Sequence, residues 1–252
     1  MIPLNELVSY TNGLLNIAAF QDYCPNGLQV EGRAQVRKLV SGVTASQALV
    51  EAAVAAGADA LLVHHGYFWK GEDPCVTGMK RRRLAGLLAA EVTLLVYHLP
   101  LDAHAELGNN AQLGALLGLV PEAWFGDGRG PAIACHATLP EAVSATAFAA
   151  RITAALGRAP QIVAGGDHPI RRIGWCTGAA QGYIEAAAAL GLDAFISGEI
   201  SEPTVHVARE CGVHYFAAGH HATERYGVEA LGAHLAQRFG LEHCFLDIEN
   251  PA

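Results

Sequence analysis

The chain has 252 residues, enough for one large domain or two small ones with a substantial core. Hydrophobic residues make up 52% and charged residues only 16%, which excludes a disordered chain and a coiled coil. A formal net charge of −8 argues against non-specific nucleic-acid binding, which needs a basic face.

In chain order, short apolar runs predict strands at 39–40, 60–63, 92–97, 194–197 and 213–217. Alanine-rich segments predict helices at 45–56, 81–90, 110–117, 142–156, 180–190, 202–211 and 223–239. Continuous apolar strands alternating with helices predict an α/β fold with a buried, largely parallel sheet. Gly57, Gly191 and Gly212 fall where a helix should stop before the next strand. The stretch from about 121 to 174 reads as an inserted α+β piece. It opens on a loop at Gly126–Gly130. A strand at 131–138, a helix after Pro140 and a strand near Gln161-Ile162-Val163 follow. That loop lacks the spacing of a dinucleotide fingerprint, and no P-loop occurs. The basic run Lys80-Arg81-Arg82-Arg83 precedes apolar Leu84-Ala85-Gly86-Leu87-Leu88, which suits the solvated start of a helix.

Residues 48–63 and 182–197 are similar at an offset of 134, with seven of 16 positions identical, including Glu51/Glu185, Gly57/Gly191 and Asp59/Asp193. Either the two halves share a βαβ plan, or a generic helix–Gly–Asp–strand unit arose twice.

Six cysteines lie at 24, 75, 135, 176, 211 and 244, with no C-x-x-C pair. They read as reduced thiols of a cytoplasmic protein. Met1-Ile2-Pro3-Leu4-Asn5-Glu6 shows no signal-peptide pattern, and no run of about 18 apolar residues predicts a membrane span.

Histidine is over-represented, with 12 His against 16 Lys+Arg. Imidazole is a common metal ligand and a general acid/base near neutral pH. Three motifs place it after a strand, where open α/β sheets bind ligands. In Leu61-Leu62-Val63-His64-His65-Gly66, both imidazoles reach one site only if the chain turns, which Gly66 permits. In Tyr97-His98-Leu99-Pro100-Leu101-Asp102-Ala103-His104, Pro100 ends the strand and begins an irregular loop; Asp102 also suits a helix cap. In Gly219-His220-His221-Ala222-Thr223-Glu224-Arg225, His220 and Glu224 share a helix face that continues as Val228, Leu231 and Leu235. A carboxylate and an imidazole on that buried face need a partner or a metal; a Glu in a first helical turn is also favourable by itself. Together the motifs bring three or four imidazoles and two carboxylates to strand ends of one sheet. Such N/O donors suit Zn, Mn, Fe, Co or Ni, and two bridging carboxylates fit a metal pair.

These motifs, with Asn26-Gly27-Leu28-Gln29-Val30, Ser197-Gly198-Glu199-Ile200-Ser201-Glu202 and Asp247-Ile248-Glu249-Asn250-Pro251, resemble one family over nearly the whole chain. It is the dinuclear-metal-centre family named for an NGG-one-interacting factor three, also labelled homologues of the type 2 GTP cyclohydrolase I. The sequence is most similar to its short bacterial members. The resemblance implies two interlinked α/β domains with the metal site between them: residues 1–125 plus 213–252 carry the site, and 126–212 form the second domain. It implies two divalent metal ions per chain on His64, His65, Asp102, His220 and Glu224, with His98 close by as a further ligand. It also implies a ring-shaped homohexamer, a trimer of dimers. Many members read His-Thr-Asn-Leu-Asp where this chain has His98-Leu99-Pro100-Leu101-Asp102, so two polar side chains are missing.

The function expected is that of a metal-dependent hydrolase acting on a small molecule. His98 or His104 would carry the proton, and Arg225 would receive a substrate phosphate or carboxylate. Structural or supporting roles fit His104, His221 and Arg225 as well. The rival reading is a non-catalytic, metal-binding ring that serves as an interaction scaffold.

Overall fold

The computed structural model describes residues 1–126, 128 and 130–252. Of the loop expected at Gly126–Gly130, Asp127 and Arg129 therefore lie outside the described residues. The chain opens with β1 (Ile2–Pro3), α1 (Leu4–Leu14), β2 (Gly27–Val30), β3 (Gln35–Val36) and β4 (Lys38–Thr44). Next come α2 (Gln47–Ala55), β5 (Ala60–His65), α3 (Gly78–Ala89), β6 (Thr93–Val96), α4 (Leu99–Asp102) and α5 (Asn109–Leu116). The middle of the chain forms β7 (Ala123–Phe125), β8 (Ala134–Val143), α6 (Ala145–Leu156), β9 (Gln161–Val163) and β10 (Ile170–Trp175). It closes with α7 (Ile184–Ala189), β11 (Ala194–Ser197), α8 (Glu202–Cys211), β12 (His214–Ala217), α9 (His220–Phe239) and β13 (Glu242–Phe245).

Two compact units result, each assembled from two chain segments: Met1–Gly108 with Gly227–Glu249, and Asn109–Tyr226 with Asn250–Ala252. The sequence boundaries stood near 125 and 213. Helix α5 instead adds Leu113 to the core beneath β8 and β10, and β12 pairs with β11, so both belong to the second unit.

The first unit is built on a five-stranded sheet, β13-β4-β5-β6-β2, in which only β2 runs antiparallel to its neighbour. Its central strands are apolar at successive positions because both faces are covered. Leu39, Leu62 and Leu95 enter one core together with Val228, Leu231 and Leu235 of α9. Val40, Leu61 and Leu94 enter the other, with Leu49, Val50 and Leu87. The second unit holds a six-stranded mixed sheet, β7-β8-β10-β11-β12-β9, with parallel β10, β11 and β12 at its centre.

The internal similarity has a physical basis. In the first unit, Asp59 Oδ2 accepts the backbone N–H groups of Arg37 and Lys38, both at 2.9 Å. Asp193 Oδ2 accepts those of Arg171 and Arg172 at 2.8 and 2.7 Å. All three positions are related by the same offset of 134, and so is the strand register, Val40↔Leu61 against Gly174↔Phe195. Gly57 and Gly191 turn the chain before each Asp with φ of +71° and +65°, a region that disfavours any side chain. Each carboxylate thus binds the start of one parallel strand to the turn entering the next.

The helix expected after Pro140 forms but starts later, and one expectation about Pro100 fails. The strand β8 continues past Pro140 to Val143, and α6 begins only after Ser144, whose hydroxyl accepts Ala147 N–H at 3.1 Å. Pro140 is tolerated because the β8–β10 ladder shifts register between Thr138 and Val143, where no strand partner needs its missing N–H. The irregular loop expected from Pro100 is instead the single helical turn α4, with Pro100 near its start, where helices accept proline. The basic run lies inside α3, with Arg81 and Arg82 exposed, in line with the sequence reading.

Hydrogen bonds to a charged acceptor contribute about 1.5–3 kcal/mol each. Asp59→Ala is therefore expected to lose at least about 2 kcal/mol in denaturant unfolding at pH 7. Burial raises the Asp59 pKa, but the Lys38 and Arg37 N–H groups and the Arg33 guanidinium outweigh it and hold the carboxyl below the usual range. Its stabilisation is thus present at neutral pH and lost as pH falls through the lowered folded-state pKa. The gap between wild type and Asp59→Ala should persist at pH 5 and narrow only below about pH 4. A gap that closes already at pH 5 would contradict this assignment.

Candidate metal centre

In the first unit, the chemistry gathers at the carboxyl ends of β5 and β6. His64 is fully buried and His65 partly so. Their ring centroids lie 4.6 Å apart, and His98 lies 5.0 and 5.7 Å from them. One ligand atom from each of the three sits within 4.8 Å of the others. The strand reaches His65, so no turn precedes the pair. Gly66 is needed for close packing: a Cβ there would strike the Val96 side chain and come within 2.5 Å of Gln29 Oε1.

Each imidazole is held by Nδ1. His64 Nδ1 donates to Tyr97 O at 2.9 Å, His65 Nδ1 bonds Thr44 Oγ1 at 3.1 Å, and His98 Nδ1 meets Asp22 Oδ1 at 2.7 Å. For His64 and His98 the partner is a pure acceptor, so Nδ1 carries the proton and Nε2 keeps its lone pair for a ligand. Asp102, only 5% exposed, places Oδ1 3.6 Å from His64 Nε2. That separation is too long for a hydrogen bond, and it suits two donors to one cation.

Sequence reasoning missed Asp22. Besides His98, it accepts Leu99 N–H at 2.9 Å and Asn26 Nδ2 at 2.8 Å, while Asn26 Oδ1 accepts His98 N–H at 2.7 Å. Burial raises its pKa, but the bond to and charge of His98 more than offset this and hold the carboxyl below its ordinary range. It lies on a loop with no periodic signal; only the neighbouring Asn26–Val30 motif pointed near it. Cys24 lies within ligand reach of Asp22 and His98. Burial first, and the Asp22 charge second, push its thiol up to about 12, so it stays protonated at neutral pH.

In the second unit, the corresponding ends of β11 and β12 carry Glu199 and His220. His220 Nδ1 bonds Glu199 Oε1 at 2.7 Å, and its Nε2 lies 3.1 Å from Glu224 Oε2. The i,i+4 spacing read from the sequence therefore does put both on one face, with Glu224 only 3% exposed. Burial pulls the His220 pKa down, but Glu224 and then Glu199 overcome it and raise it to about 9. A second missed residue is Gly178, at φ +66°. A Cβ there would collide with Glu224 Oε1 and come within 3.2 Å of His220 Nε2. Its carbonyl accepts Ser197 Oγ at 3.0 Å and Gly198 N–H at 2.9 Å, so the backbone is fixed against the donors.

The remaining expected residues take other positions. His104 Nδ1 accepts Glu106 and Leu107 N–H at 3.2 and 3.0 Å, which caps a turn. His221 donates its N–H to Ala252 O at 3.2 Å, and the Arg225 guanidinium lies 5.4 Å from the Tyr226 ring centroid. Among the described residues, neither His104 nor His221 joins a group of three close donors. Both donor clusters nonetheless suit a borderline divalent cation: anchored imidazoles, buried carboxylates, and at Gly178 a cradle that one methyl group would fill. Among the described residues, no helix is long and apolar enough to cross a membrane.

Comparisons with known proteins assign the chain to a family. The model of the Duf34/NIF3 (NGG1p interacting factor 3) family matches residues 2–251. A Pseudomonas aeruginosa protein named "GTP cyclohydrolase 1 type 2 homolog" is 58% identical, over 100% of this chain and 99% of its own length. An Escherichia coli protein of the same name is 52% identical over 98% of each. Among solved structures, "protein ybgI, unknown function" matches with a TM-score of 0.95 and 51% identity, covering 100% of both chains. TTHA1606 from Thermus thermophilus matches at 0.90 and 36%, again over 100% of both. Reduced HcgD from Methanocaldococcus jannaschii, at 21% identity over 98% of both chains, shares the fold with a TM-score of 0.85. The chain belongs to the Duf34/NIF3 family.

Proposed function

We propose that His64, His65, Asp102, His220 and Glu224 hold two divalent ions per chain, drawn from Zn, Mn, Fe, Co and Ni, and that the protein is a metal-dependent hydrolase. The observation that carries this reading is the set of three imidazoles with ligand atoms within 4.8 Å, each held by Nδ1. Bound divalent ions would polarise the scissile group and lower the pKa of an attacking water. The chain's own residues supply the rest. Asp22 holds the proton on His98 Nδ1 and fixes the ring, so His98 Nε2 can take up a proton and return it to the leaving group. Glu199 orients His220 in the same manner. His104 is not the proton carrier, because its Nδ1 lone pair is committed to two backbone N–H groups.

The family resemblance supports a homohexameric ring, a trimer of dimers, with a small-molecule substrate. Six free thiols suit the reducing cytoplasm. The relatives' name raises ring opening of GTP as the specific reaction. That version predicts GTP-dependent formate release, abolished by a chelator, and absence of release would remove GTP as the substrate.

Elemental analysis should find about two divalent ions per chain, the occupancy of a two-metal site. His64→Ala and Gly178→Ala should each lower that occupancy. Asp22→Asn should retain metal but lose about 10–100-fold in turnover, as for other residues that orient such imidazoles. A phosphoester, nucleotide and peptide panel run against His64→Ala tests hydrolysis directly. A fully metallated protein that turns over nothing beyond that variant would be a metal-binding scaffold instead.

A further inference from the structure

The motif Asp247-Ile248-Glu249-Asn250-Pro251 has no part in the chemistry described so far. Its end, Asn250–Ala252, belongs to the second unit, where it lies against Arg158. Arg158 Nη1 donates to Pro251 O at 2.9 Å and to Ala252 O at 3.3 Å. Asn250 Oδ1 accepts Ala252 N–H at 3.0 Å, a side-chain turn that bends the segment and presents both carbonyls to one guanidinium.

Arg158 also covers the residue before His220. It follows Gly157, which ends α6 at a φ of +73°. Strands β9 and β12 are antiparallel, with Gln161 opposite Ala217, so the residues before β9 lie beside those after β12. A Cβ on Gly219 would stand 2.5, 2.8 and 3.0 Å from Arg158 Nη1, Cζ and Nε. The guanidinium therefore lies flat on that glycine.

The backbone on both sides of His220 is thus held. Gly219 N–H donates to Gly198 O at 3.0 Å, and Gly219 O accepts Thr223 N–H at 3.1 Å and Thr223 Oγ1 at 2.9 Å. The first N–H groups of a helix have no acceptor within it. His221, at the start of α9, donates its N–H to Ala252 O, the same carbonyl that Arg158 grips. Between these two residues stands His220, its ring bonded to Glu199 and facing Glu224.

We propose that Arg158 and Asn250–Ala252 form a clasp that positions His220 for its metal ion. A guanidinium has no lone pair to give a cation, so Arg158 is a positioning residue and acts through the backbone of Gly219 and His221. The coupling is reciprocal: an ion on His220 and Glu224 tightens the clasp. This inference rests on the reading of those two residues as metal ligands.

Zn2+ titration against a competing chelator, and hydrogen–deuterium exchange over residues 219–223, test it on the full chain. Arg158→Ala and Asn250→Ala should each weaken one of the two ions, Arg158→Ala by about tenfold or more, and spare the other. A merely structural role would loosen both ions alike. The double variant should lose no more than Arg158→Ala alone, because both changes open one device. Without metal, the His221 amide should exchange faster in Arg158→Ala than in wild type; in wild type, Zn2+ should slow it. Unchanged Zn2+ affinity in Arg158→Ala, equal loss of both ions, or unchanged His221 exchange would overturn the proposal. Failure of the metal reading is separable: a wild-type chain that takes up no Zn2+ would remove the ligand assignment, and faster His221 exchange in Arg158→Ala would still keep the clasp.

Discussion

Parallel strands cannot be closed by a hairpin, so something must fix where each begins relative to its neighbour. Here a single carboxylate does so, twice. Asp59 and Asp193 each take two consecutive backbone N–H groups from the start of the adjoining strand. A slip of one residue would break both bonds and turn each side chain to the opposite face. The carboxyl ends depend on this register. His64 and His65 come together with His98 because β5 and β6 end level, with Val63 opposite Val96. Glu199 and His220 occupy the corresponding ends of β11 and β12, where Ser197 lies opposite Ala217.

Those ends carry a cost that the rest of each unit must support. His64, Asp102 and Glu224 are all nearly inaccessible to water. Unpaired buried polar groups are strongly unfavourable, and buried charges more so. In the first unit, the apolar cores on both faces of the central strands offset this. The same burial excludes water from the donors, strengthening their pull on a cation.

Much of this was legible in the sequence, and the failures have definable causes. The apolar runs and the Gly–Asp turns located the parallel strands, because a sheet covered on both faces leaves an uninterrupted apolar signature. Strand β10 escaped notice because Arg171-Arg172 interrupts its apolar run, although the N–H groups of those two residues are what Asp193 binds. Pro140 and Pro100 misled because local preference assumes a backbone that needs the missing N–H. A register shift in one case and a helix start in the other removed that need. At the site, the donor candidates stood out because imidazole recurs at three expected strand ends, beside Asp102 and Glu224. Asp22 and Gly178 were not: one acts through His98, the other through the side chain it lacks.

What separates the histidines from one another is the group at Nδ1. Position after a strand selects His64, His65 and His98 alike, yet their partners are a carbonyl, a hydroxyl and a carboxylate. A carbonyl or hydroxyl can fix a tautomer, but only the carboxylate brings a full negative charge to the ring it holds. His104, in the same motif, has its Nδ1 turned inward to cap a loop. The chemistry of each imidazole at the candidate centre follows from the atom behind the ring, and that atom comes from elsewhere in the chain: Thr44 and Asp22 lie far from His65 and His98 in sequence.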